Sequence, residues 1–286
     1  MALIMRADLH CHTKISDGSL GIAELLMVAA RLKMKFLSIT DCDTMGGVSR
    51  AVVVGKRLGI EVIPGVELTA LDPETGKDVH LLCYLPDYPD RLEGYFKRMS
   101  DTRKQIFEKR IKLICEKLPI NPQMVMLHTQ GCTTVYEAHI MHTLMDCGYT
   151  DKIYGDLYNA FFGKGKSCDI PLDCGDYTEV MQLIKSAGGL AVLAHPGKSD
   201  NLDLVDKLAD LGLDGIEWEH FRNNAACKEN IKQLCEQYDL VMTGGSDFHG
   251  MYETPIRPIG NNTVTEIEVK ALYNRKQKQQ KAAINL

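Results

Sequence analysis

Residues 6–12 read Arg-Ala-Asp-Leu-His-Cys-His, a short strand pattern that ends in two histidines. Side chains alternate along an extended chain, so His10 and His12 face the same side, where two imidazoles can bind one metal ion. A His-x-His pair is common, and on its own it is weak evidence for a metal site. It becomes informative because an apolar strand followed by histidine or carboxylate recurs farther along the chain.

Seven short apolar runs have the length and composition of strands, and helical patterns follow most of them. In one of these helices, Ile22, Leu25 and Ala29 fall on a single apolar stripe. Strands that alternate with helices indicate βα units and an α/β fold with a parallel sheet. The predicted strands are 6–10, 36–40, 61–66, 79–85, 190–194, 215–218 and 240–243.

One long segment, from about residue 87 to residue 187, interrupts this alternation. It has only helical patterns, punctuated by Pro119-Ile-Asn-Pro122 and Gly163-Lys-Gly-Lys166. We therefore expect residues 1–87 and 188–286 to form a barrel that carries the metal site. Residues 88–187 are expected to form a helical insertion that acts as a lid or substrate-binding cap. The charged tail at 274–281 is predicted to be a solvated terminus.

The composition narrows the class of protein. The formal net charge of −5 argues against a protein that coats nucleic acid, since that role needs a dominantly basic surface. No apolar run approaches the roughly 20 residues of a membrane span, and residues 1–6 do not begin a signal peptide. Without such a signal, the ten cysteines are interpreted as reduced thiols. We expect a cytoplasmic protein with no membrane partner and no stable nucleic-acid partner.

Residues that can bind metal ions follow five or more of the predicted strands. In (β/α) barrels the reactive groups collect at the carboxyl ends of the strands. Taken singly, His195 before a proline is typical of a packed turn, and Glu67 of a surface carboxylate. Taken together they indicate a multinuclear metal site, because buried histidines and carboxylates are costly unless paired or metal-bound. The motifs are His10-Cys-His12, Ser16-Asp-Gly18, Thr40-Asp-Cys-Asp-Thr44, Gly65-Val-Glu67, His80, Ala194-His-Pro196 and Gly244-Gly-Ser-Asp-Phe-His-Gly250.

These motifs, in this order, resemble the PHP (polymerase and histidinol phosphatase) family, and the resemblance covers the whole predicted barrel. The helical insertion resembles the stand-alone branch of that family, whose members are metal-dependent phosphoesterases acting on nucleotides and sugars. The resemblance implies a distorted seven-stranded (β/α) barrel with a helical insertion domain. It also implies two or three divalent metal ions, which would be Mn²⁺, Fe²⁺ or Zn²⁺.

The resemblance further implies a set of metal ligands, in which Glu67 bridges the first two ions. The first ion would be held by His10, His12, Glu67 and Asp247, the second by Glu67, His80 and His195, and the third by Asp17, Cys42 and His249.

Cys42 departs from the family pattern, which usually has histidine at this position. A thiolate is a competent ligand, and as a softer donor it would favour zinc or iron(II) over manganese. The alternative is a third site that is weakened or rebuilt. We take Cys42 as a ligand, and we interpret the flanking Asp41 and Asp43 as groups that orient the ligands.

A second departure concerns the substrate phosphate. Many relatives have an Arg-Pro-His segment in the insertion and another arginine shortly after it, whereas this chain has Glu137, His139 and His142 there. The substrate is therefore predicted to lack the second phosphate that those arginines would hold. Phosphate needs cationic or N–H donors. The candidates are His139, Lys164, Lys166, Lys198 and Arg222, although a solvated surface position explains each lysine and arginine equally well.

Clustered divalent ions suit phosphoryl chemistry, because they lower the pKa of a bound water and neutralise phosphate oxygens. The predicted function is hydrolysis of a small nucleotide or sugar phosphate ester by attack of a metal-bound hydroxide. The predicted catalytic residues are His195, His249 and Asp247, and either histidine could instead protonate the leaving group. The alternatives are a cyclic phosphodiesterase, a single-strand exonuclease and a non-catalytic metal-binding scaffold. An amidohydrolase is disfavoured because no predicted strand carries a lysine ligand.

Overall fold

The computed structural model describes residues 5–253 and 255–284. The first four residues, which belong to the stretch examined for a signal peptide, lie outside the described part. The described strands are β1 (Arg6–Asp8), β2 (Phe36–Leu37), β3 (Glu61–Val62), β4 (Gly65–Leu71), β5 (Asp78–Tyr84), β6 (Leu190–Leu193), β7 (Gly215–Glu219), β8 (Val241–Gly244) and β9 (Val264–Thr265).

Helices follow most strands, as the alternating pattern predicts, and a run of helices separates β5 from β6. Helix α1 buries Ile22, Leu25, Leu26 and Ala29 on one face, which is the stripe seen in the sequence. The described helices are α1 (Ile22–Arg31), α2 (Val48–Leu58), α3 (Glu93–Cys115), α4 (Pro122–His128), α5 (Glu137–Asp146), α6 (Asp156–Phe162), α7 (Tyr177–Ser186), α8 (Pro196–Ser199), α9 (Val205–Asp210), α10 (Ala225–Tyr238) and α11 (Glu266–Ile284).

The strands form two sheets, one with the order β3-β2-β1-β9 and the other with the order β4-β5-β6-β7-β8. Neither sheet closes on itself, so the seven-stranded barrel is not confirmed, whereas the mixed α/β class is. Two single-residue bridges join the sheets, Cys11 to Phe248 and Cys42 to Glu67. Both bridges lie beside predicted metal ligands, so the ends of the two sheets meet where those ligands are.

The prediction of a parallel sheet was wrong for part of the molecule. Strand β5 pairs antiparallel with both β4 and β6, and β9 pairs antiparallel with β1. The predicted strand 61–66 is divided at Pro64 into β3 and β4, which belong to different sheets. Proline donates no backbone hydrogen bond and therefore interrupts a ladder. A buried apolar run has the same composition in a parallel and in an antiparallel strand. Composition therefore did not distinguish the two kinds of pairing.

The tail at 274–281 is mostly exposed, as predicted, but it is helical and belongs to α11. The ammonium group of Lys276 is buried, and its Nζ donates to Asp87 Oδ2 at 2.6 Å. Leu272 and Val269 of the same helix pack into the core beside β1 and β6. The many charged residues of this segment hid the apolar face of α11 from the sequence analysis.

Among residues 5–253 and 255–284, no helix is both long enough and apolar enough to cross a membrane.

Candidate metal centre

The predicted metal ligands lie at or near strand ends in both sheets. His10 and His12 follow β1, while His195 lies two residues after the end of β6 and immediately before α8. Glu67 differs from the prediction, because it lies inside β4 and not at a strand end, whereas His80 lies near the start of β5, close to its predicted place. The remaining ligand candidates lie in loops, with Asp17 after β1, Cys42 after β2, and Asp247 and His249 after β8.

The first donor group brings two imidazoles and two carboxylates together. His10 Nε2 lies 3.6 Å from Glu67 Oε2 and 3.5 Å from Asp247 Oδ1. His12 Nε2 lies 3.4 Å from each of the same two oxygens. His10, His12, Glu67 and Asp247 are all buried. Four donors of two types therefore converge on one point in the interior.

The donor atoms of this group fit a divalent cation. His10 Nε2 and His12 Nε2 are buried and have no hydrogen-bond partner, and Asp17 Oδ1 nearby has none either. A buried polar atom left unpaired costs about 1–3 kcal/mol, and separations of 3.4–3.6 Å to the carboxylates are too long for good hydrogen bonds. Nitrogen and oxygen donors spaced in this way are those that manganese, iron(II) or zinc would bind.

The second donor group is centred on the other oxygen of the same glutamate. Glu67 Oε1 lies 2.8 Å from His80 Nδ1 and 3.0 Å from His195 Nε2. Glu67 thus faces His10 and His12 with one oxygen, and His80 and His195 with the other. A carboxylate that offered one oxygen to each of two ions would face its neighbours in this way.

The third group lies on the more open side of the centre. His249 Nε2 is 3.5 Å from Asp17 Oδ2, and Cys42 Sγ is 3.7 Å from the same oxygen. Cys42 Sγ is also 3.3 Å from Glu67 Oε2 and 3.6 Å from His12 Nδ1. The structure therefore brings Asp17, Cys42 and His249 together, but it places the thiol as close to the first group as to the third.

The buried carboxylates of the centre need positive charge nearby to balance them. Burial alone would raise the pKa of Glu67 and Asp247, but nearby imidazoles, and Lys198 beside Asp247, hold both well below the usual range. Burial opposes charge on His12 as well, yet Asp17, Asp247 and Glu67 raise its pKa to about 10. In the protein alone, imidazolium would balance these carboxylates, and divalent cations supply the same balance more strongly.

The electrostatics of the centre keep His195 and Cys42 in their neutral forms. Burial, with Lys198 close by, lowers the pKa of His195 to about 3, so its imidazole is neutral and available as a ligand. Burial, together with the carboxylates of Asp17 and Glu67, raises the pKa of the Cys42 thiol well above its usual range. A thiolate at Cys42 therefore requires a bound cation.

Buried carboxylates hold the ligand-bearing loops in place. Asp41 accepts from the N–H of Thr13 at 2.7 Å and from the hydroxyl of Ser16 at 2.6 Å. Asp43 accepts from the N–H and the hydroxyl of Thr69, both at 2.9 Å. These contacts agree with the orienting role interpreted for Asp41 and Asp43.

Sequence reasoning missed two residues of the centre, Glu217 and His220. Glu217 is fully buried in β7, where it accepts from His10 Nδ1 at 3.0 Å and from the backbone N–H of His195 at 2.8 Å. It thereby orients one ligand from each sheet. His220 Nε2 is buried 3.4 Å from Asp247 Oδ2 without a hydrogen bond. The available signal was a glutamate inside a predicted buried strand, with a histidine just after it.

The backbone is strained at the same positions. His195 has φ +26° and Asp247 has φ +52°, values that residues with a side chain rarely adopt and that cluster at functional sites. Gly245 permits a close approach nearby, because a Cβ atom there would lie 2.4 Å from the backbone nitrogen of His10. A glycine is required where β8 passes this close to β1.

A cavity of about 550 Å³ opens above the donor groups. Of the predicted substrate residues, Lys198 lines it, and its Nζ lies 3.3 Å from Asp247 Oδ2. Burial would lower the pKa of Lys198, but Asp247 and Glu67 raise it, so the ammonium is charged. His139, Lys164, Lys166 and Arg222 are not among the lining residues.

The structure gives these four residues other positions. His139 is buried, and its Nδ1 accepts from the N–H of Tyr136 at the start of α5, while burial lowers its pKa to about 4. Lys164 and Lys166 are exposed in the turn after α6. Arg222 is exposed and lies over the ring of Phe221. The prediction that these residues hold the substrate phosphate is not supported by their placement.

Cations from helix α3 line the cavity instead, and each is already paired. Arg103 contacts Asp43 Oδ2 at 2.6 Å, and Arg110 contacts Glu137 Oε1 at 2.6 Å. In the sequence these arginines have the spacing of any charged helix. Their position in the cavity wall therefore could not be predicted from the sequence. The cavity also has aromatic walls, formed by Tyr136, Tyr154, Tyr158 and Phe107.

Comparison with known proteins identifies the family. The PHP domain family matches residues 8–153. The phosphoribosyl 1,2-cyclic phosphate 1,2-diphosphodiesterase of Eggerthella lenta is 33% identical over 250 residues, covering 87% of this chain and 95% of that enzyme. A 5′-3′ exoribonuclease of Haemophilus influenzae is 29% identical over 253 residues, covering 85% and 89%. The crystal structure of a Bifidobacterium adolescentis protein described as a metal-dependent phosphoesterase has a TM-score of 0.85 at 27% identity, covering 94% and 96%.

The chain therefore belongs to the PHP family. It is an enzyme of the phosphoric ester hydrolase class, as the resemblance of its motifs implied.

Proposed function

We propose that this enzyme hydrolyses a small phosphate ester of a nucleotide or sugar at the three donor groups. The supporting observation is the cavity of about 550 Å³ that includes Asp17, Cys42 and His80 in its lining. This volume suits a small organic ligand. Its cations can contact phosphate, and its tyrosines can pack on a ribose or a base.

The cavity wall comes largely from the segment between β5 and β6, which we propose to act as the cap over the centre. Tyr136 connects the two parts, because its hydroxyl donates to the backbone oxygen of Cys42 at 3.0 Å. Arg103 lies over the ring of Tyr136 and contacts Asp43. The bridges from Cys11 to Phe248 and from Cys42 to Glu67 support treating the two sheets as halves of one distorted barrel beneath this cap.

Residues of the chain have separable parts in the reaction. Divalent ions bound by the donor groups would activate water and neutralise phosphate charge. Lys198, charged and lining the cavity, is placed to donate to a phosphate oxygen. The Nδ1–H of His249 donates to the backbone oxygen of Asp247 at 2.8 Å. This leaves Nε2 of His249 as the atom that can either bind a metal ion or transfer a proton. Glu217 fixes the orientation of His10.

A cyclic phosphodiester of a ribosyl compound is the second candidate substrate, and the arginine pairs favour it. Carboxylates contact Arg103 and Arg110 at 2.6 Å, whereas Asp247 contacts Lys198 at the longer distance of 3.3 Å. Lys198 is therefore the lining cation best placed to meet added phosphate charge near the donor groups. A diester carries one negative charge at its phosphorus, whereas a terminal monoester carries up to two. The Eggerthella lenta relative, which acts on a cyclic phosphate by name, agrees with this candidate.

Phosphate release and ring opening from a panel of substrates test the proposal. The panel contains nucleoside monophosphates and bisphosphates, sugar phosphates, ribosyl cyclic phosphates and a 5′-phosphorylated oligoribonucleotide. Metal-stripped protein is reconstituted separately with Mn²⁺, Fe²⁺ and Zn²⁺. Metal-dependent turnover of a small ester supports the proposal, and selective turnover of the cyclic compounds supports the second candidate. Turnover of the oligoribonucleotide alone would overturn both.

Glu137→Gln is expected to shift the substrate preference. The change leaves the guanidinium of Arg110 without its carboxylate partner, so a phosphate group can take that place. We expect KM to fall at least about fivefold for bisphosphates, since a charge-assisted hydrogen bond contributes about 1.5–3 kcal/mol. The KM of a cyclic phosphate should change much less.

The matched control for this variant is Glu179→Gln, which removes the carboxylate from an exposed pair with Arg98 at 2.8 Å outside the cavity. It should leave both KM values unchanged. Equal changes for the two substrate classes in Glu137→Gln would show that Arg110 does not face substrate phosphate.

Substitutions at Cys42 should separate a ligand from a bystander thiol. If Cys42 binds metal, Cys42→Ala should lose about one ion per chain, whereas Cys42→His should retain that ion and use Mn²⁺ at least as well as the wild type does. Metal content and turnover with each ion measure this. Cys83→Ala, which truncates a fully buried thiol of β5, controls for packing. Unchanged metal content and rate in Cys42→Ala would remove Cys42 from the ligand set.

A further inference from the structure

A second cluster of metal-binding side chains lies on the helical segment, outside the candidate centre. His128 ends α4, while His142 and Asp146 lie one turn apart on α5. His128 Nε2 is 3.1 Å from Asp146 Oδ2, and His142 Nε2 is 3.8 Å from Asp146 Oδ1. None of the three residues lines the cavity above the first centre.

The geometry of this cluster is compatible with one small ion. Zinc bonds to nitrogen and oxygen of about 2.0–2.1 Å place tetrahedral donors about 3.3 Å apart. The two measured separations, 3.1 and 3.8 Å, bracket that value, and one donor atom from each side chain lies within 4.8 Å of the other two. The imidazole rings are stacked with centroids 3.8 Å apart, so both rings present Nε2 to the same carboxylate.

A contact with Tyr252 orients the ring of His142 as in metal-binding histidines. Its Nδ1 lies 2.8 Å from the hydroxyl of Tyr252, which is buried in the loop after β8. Metal-binding histidines usually donate their other ring N–H to a nearby acceptor, which fixes the tautomer.

We propose that His128, His142 and Asp146 bind one zinc ion, or a similar transition-metal ion that prefers nitrogen and oxygen ligands, in a site separate from the candidate metal centre. Asp146 is half-exposed and the histidines are mostly buried, so water completes the coordination. The site joins the end of α4 to α5.

The position of this site connects it to the cavity. The segment between the two helices carries Val135 and Tyr136, which form part of the cavity wall. In the same segment, the backbone N–H of Thr133 donates to the oxygen of Ile15 in the loop that bears Asp17. An ion that clamps α4 to α5 therefore restrains both ends of a segment that lies against the candidate centre.

Zinc titration of the metal-stripped, full-length protein tests the proposal. Bound and free Zn²⁺ are separated by competition with a chromophoric chelator, for the wild type, His128→Gln and Asp146→Asn. We expect the wild type to bind one equivalent more than either variant. Zn²⁺ should also raise the Tm of the wild type more than that of the variants. Asp151→Asn, an exposed acid just beyond α5, should match the wild type.

Two further measurements isolate the site. The difference of one equivalent must persist when Glu67→Gln is added to every protein, because Glu67 belongs only to the first centre. The Tm of each metal-free variant shows that it is folded, and Asp146→Asn, whose side chain is 49% exposed, should lose little stability. Equal zinc stoichiometry in the wild type and both variants would overturn the proposal and leave a hydrogen-bonded histidine pair.

Discussion

Asp247→Asn is expected to reduce turnover by about a thousandfold or more and to remove about one metal ion per chain. The carboxylate of Asp247 lies 3.4–3.5 Å from the Nε2 atoms of His10 and His12, so an amide would replace one of the two anionic donors in the first group. An amide is neutral and a weaker ligand for a divalent ion. A thousandfold loss corresponds to about 4 kcal/mol of transition-state stabilisation, which is within what metal activation supplies.

The measurements for Asp247→Asn are turnover with each reconstituted ion, metal content and the Tm of the metal-free protein. Asp239→Asn is a matched control, because Asp239 has φ +50°, close to the +52° of Asp247, but its side chain is 84% exposed. The control should keep its activity and metal content. An Asp247→Asn protein that retains full activity would exclude Asp247 from metal binding and catalysis.

Glu67→Gln is expected to reduce turnover at least as much as Asp247→Asn does. It should also lose two metal ions per chain, whereas Asp247→Asn should lose one. Glu67 faces His10 and His12 with one carboxylate oxygen and His80 and His195 with the other. Losing this charge removes the bridge between the first two donor groups and also affects the Cys42 thiol, which lies 3.3 Å away. The difference in stoichiometry between this variant and Asp247→Asn therefore tests the bridging role itself.

Glu219→Gln is the matched control for Glu67→Gln. Glu219 is another strand glutamate, partly buried at the end of β7, but it pairs with Lys228 at 2.6 Å and belongs to none of the donor groups. It should retain its metal ions and activity. If Glu67→Gln loses only one ion, the first two groups do not share Glu67, and the predicted ligand set needs revision.

The fold was predictable in class but not in detail. Alternation of apolar strands with amphipathic helices correctly indicated an α/β fold, because both periodicities are local properties of the backbone. Strand direction and sheet membership were not predictable in this way. The pairing of β4 with β5 depends on a tight turn and on which faces the helices cover, and a buried run such as 79–85 satisfies either direction.

The candidate centre was predictable where its residues belong to short motifs. The residues of the motifs around His10, Glu67 and Asp247 are brought together by the structure, and family membership and the hydrolase class are confirmed. Glu217 and His220 were missed because one is a single polar residue inside a strand and the other a single histidine just after it, and neither belongs to a motif. The predicted phosphate contacts at Lys164 and Lys166 lie outside the cavity, because a lysine in a glycine-rich turn has no sequence feature that fixes its direction.

The sequence by itself determined the class of chemistry, because its metal-binding motifs occur in the order of the PHP family, to which the chain belongs. Only the tertiary structure decided which charges remain free at the site. Arg103 and Arg110 enter the cavity from α3, and their charges are neutralised by Asp43 and Glu137, which are distant in sequence. The physical reason is that the spacing of ligands within one motif is set by the local backbone, whereas charge pairing is set by how separate elements pack.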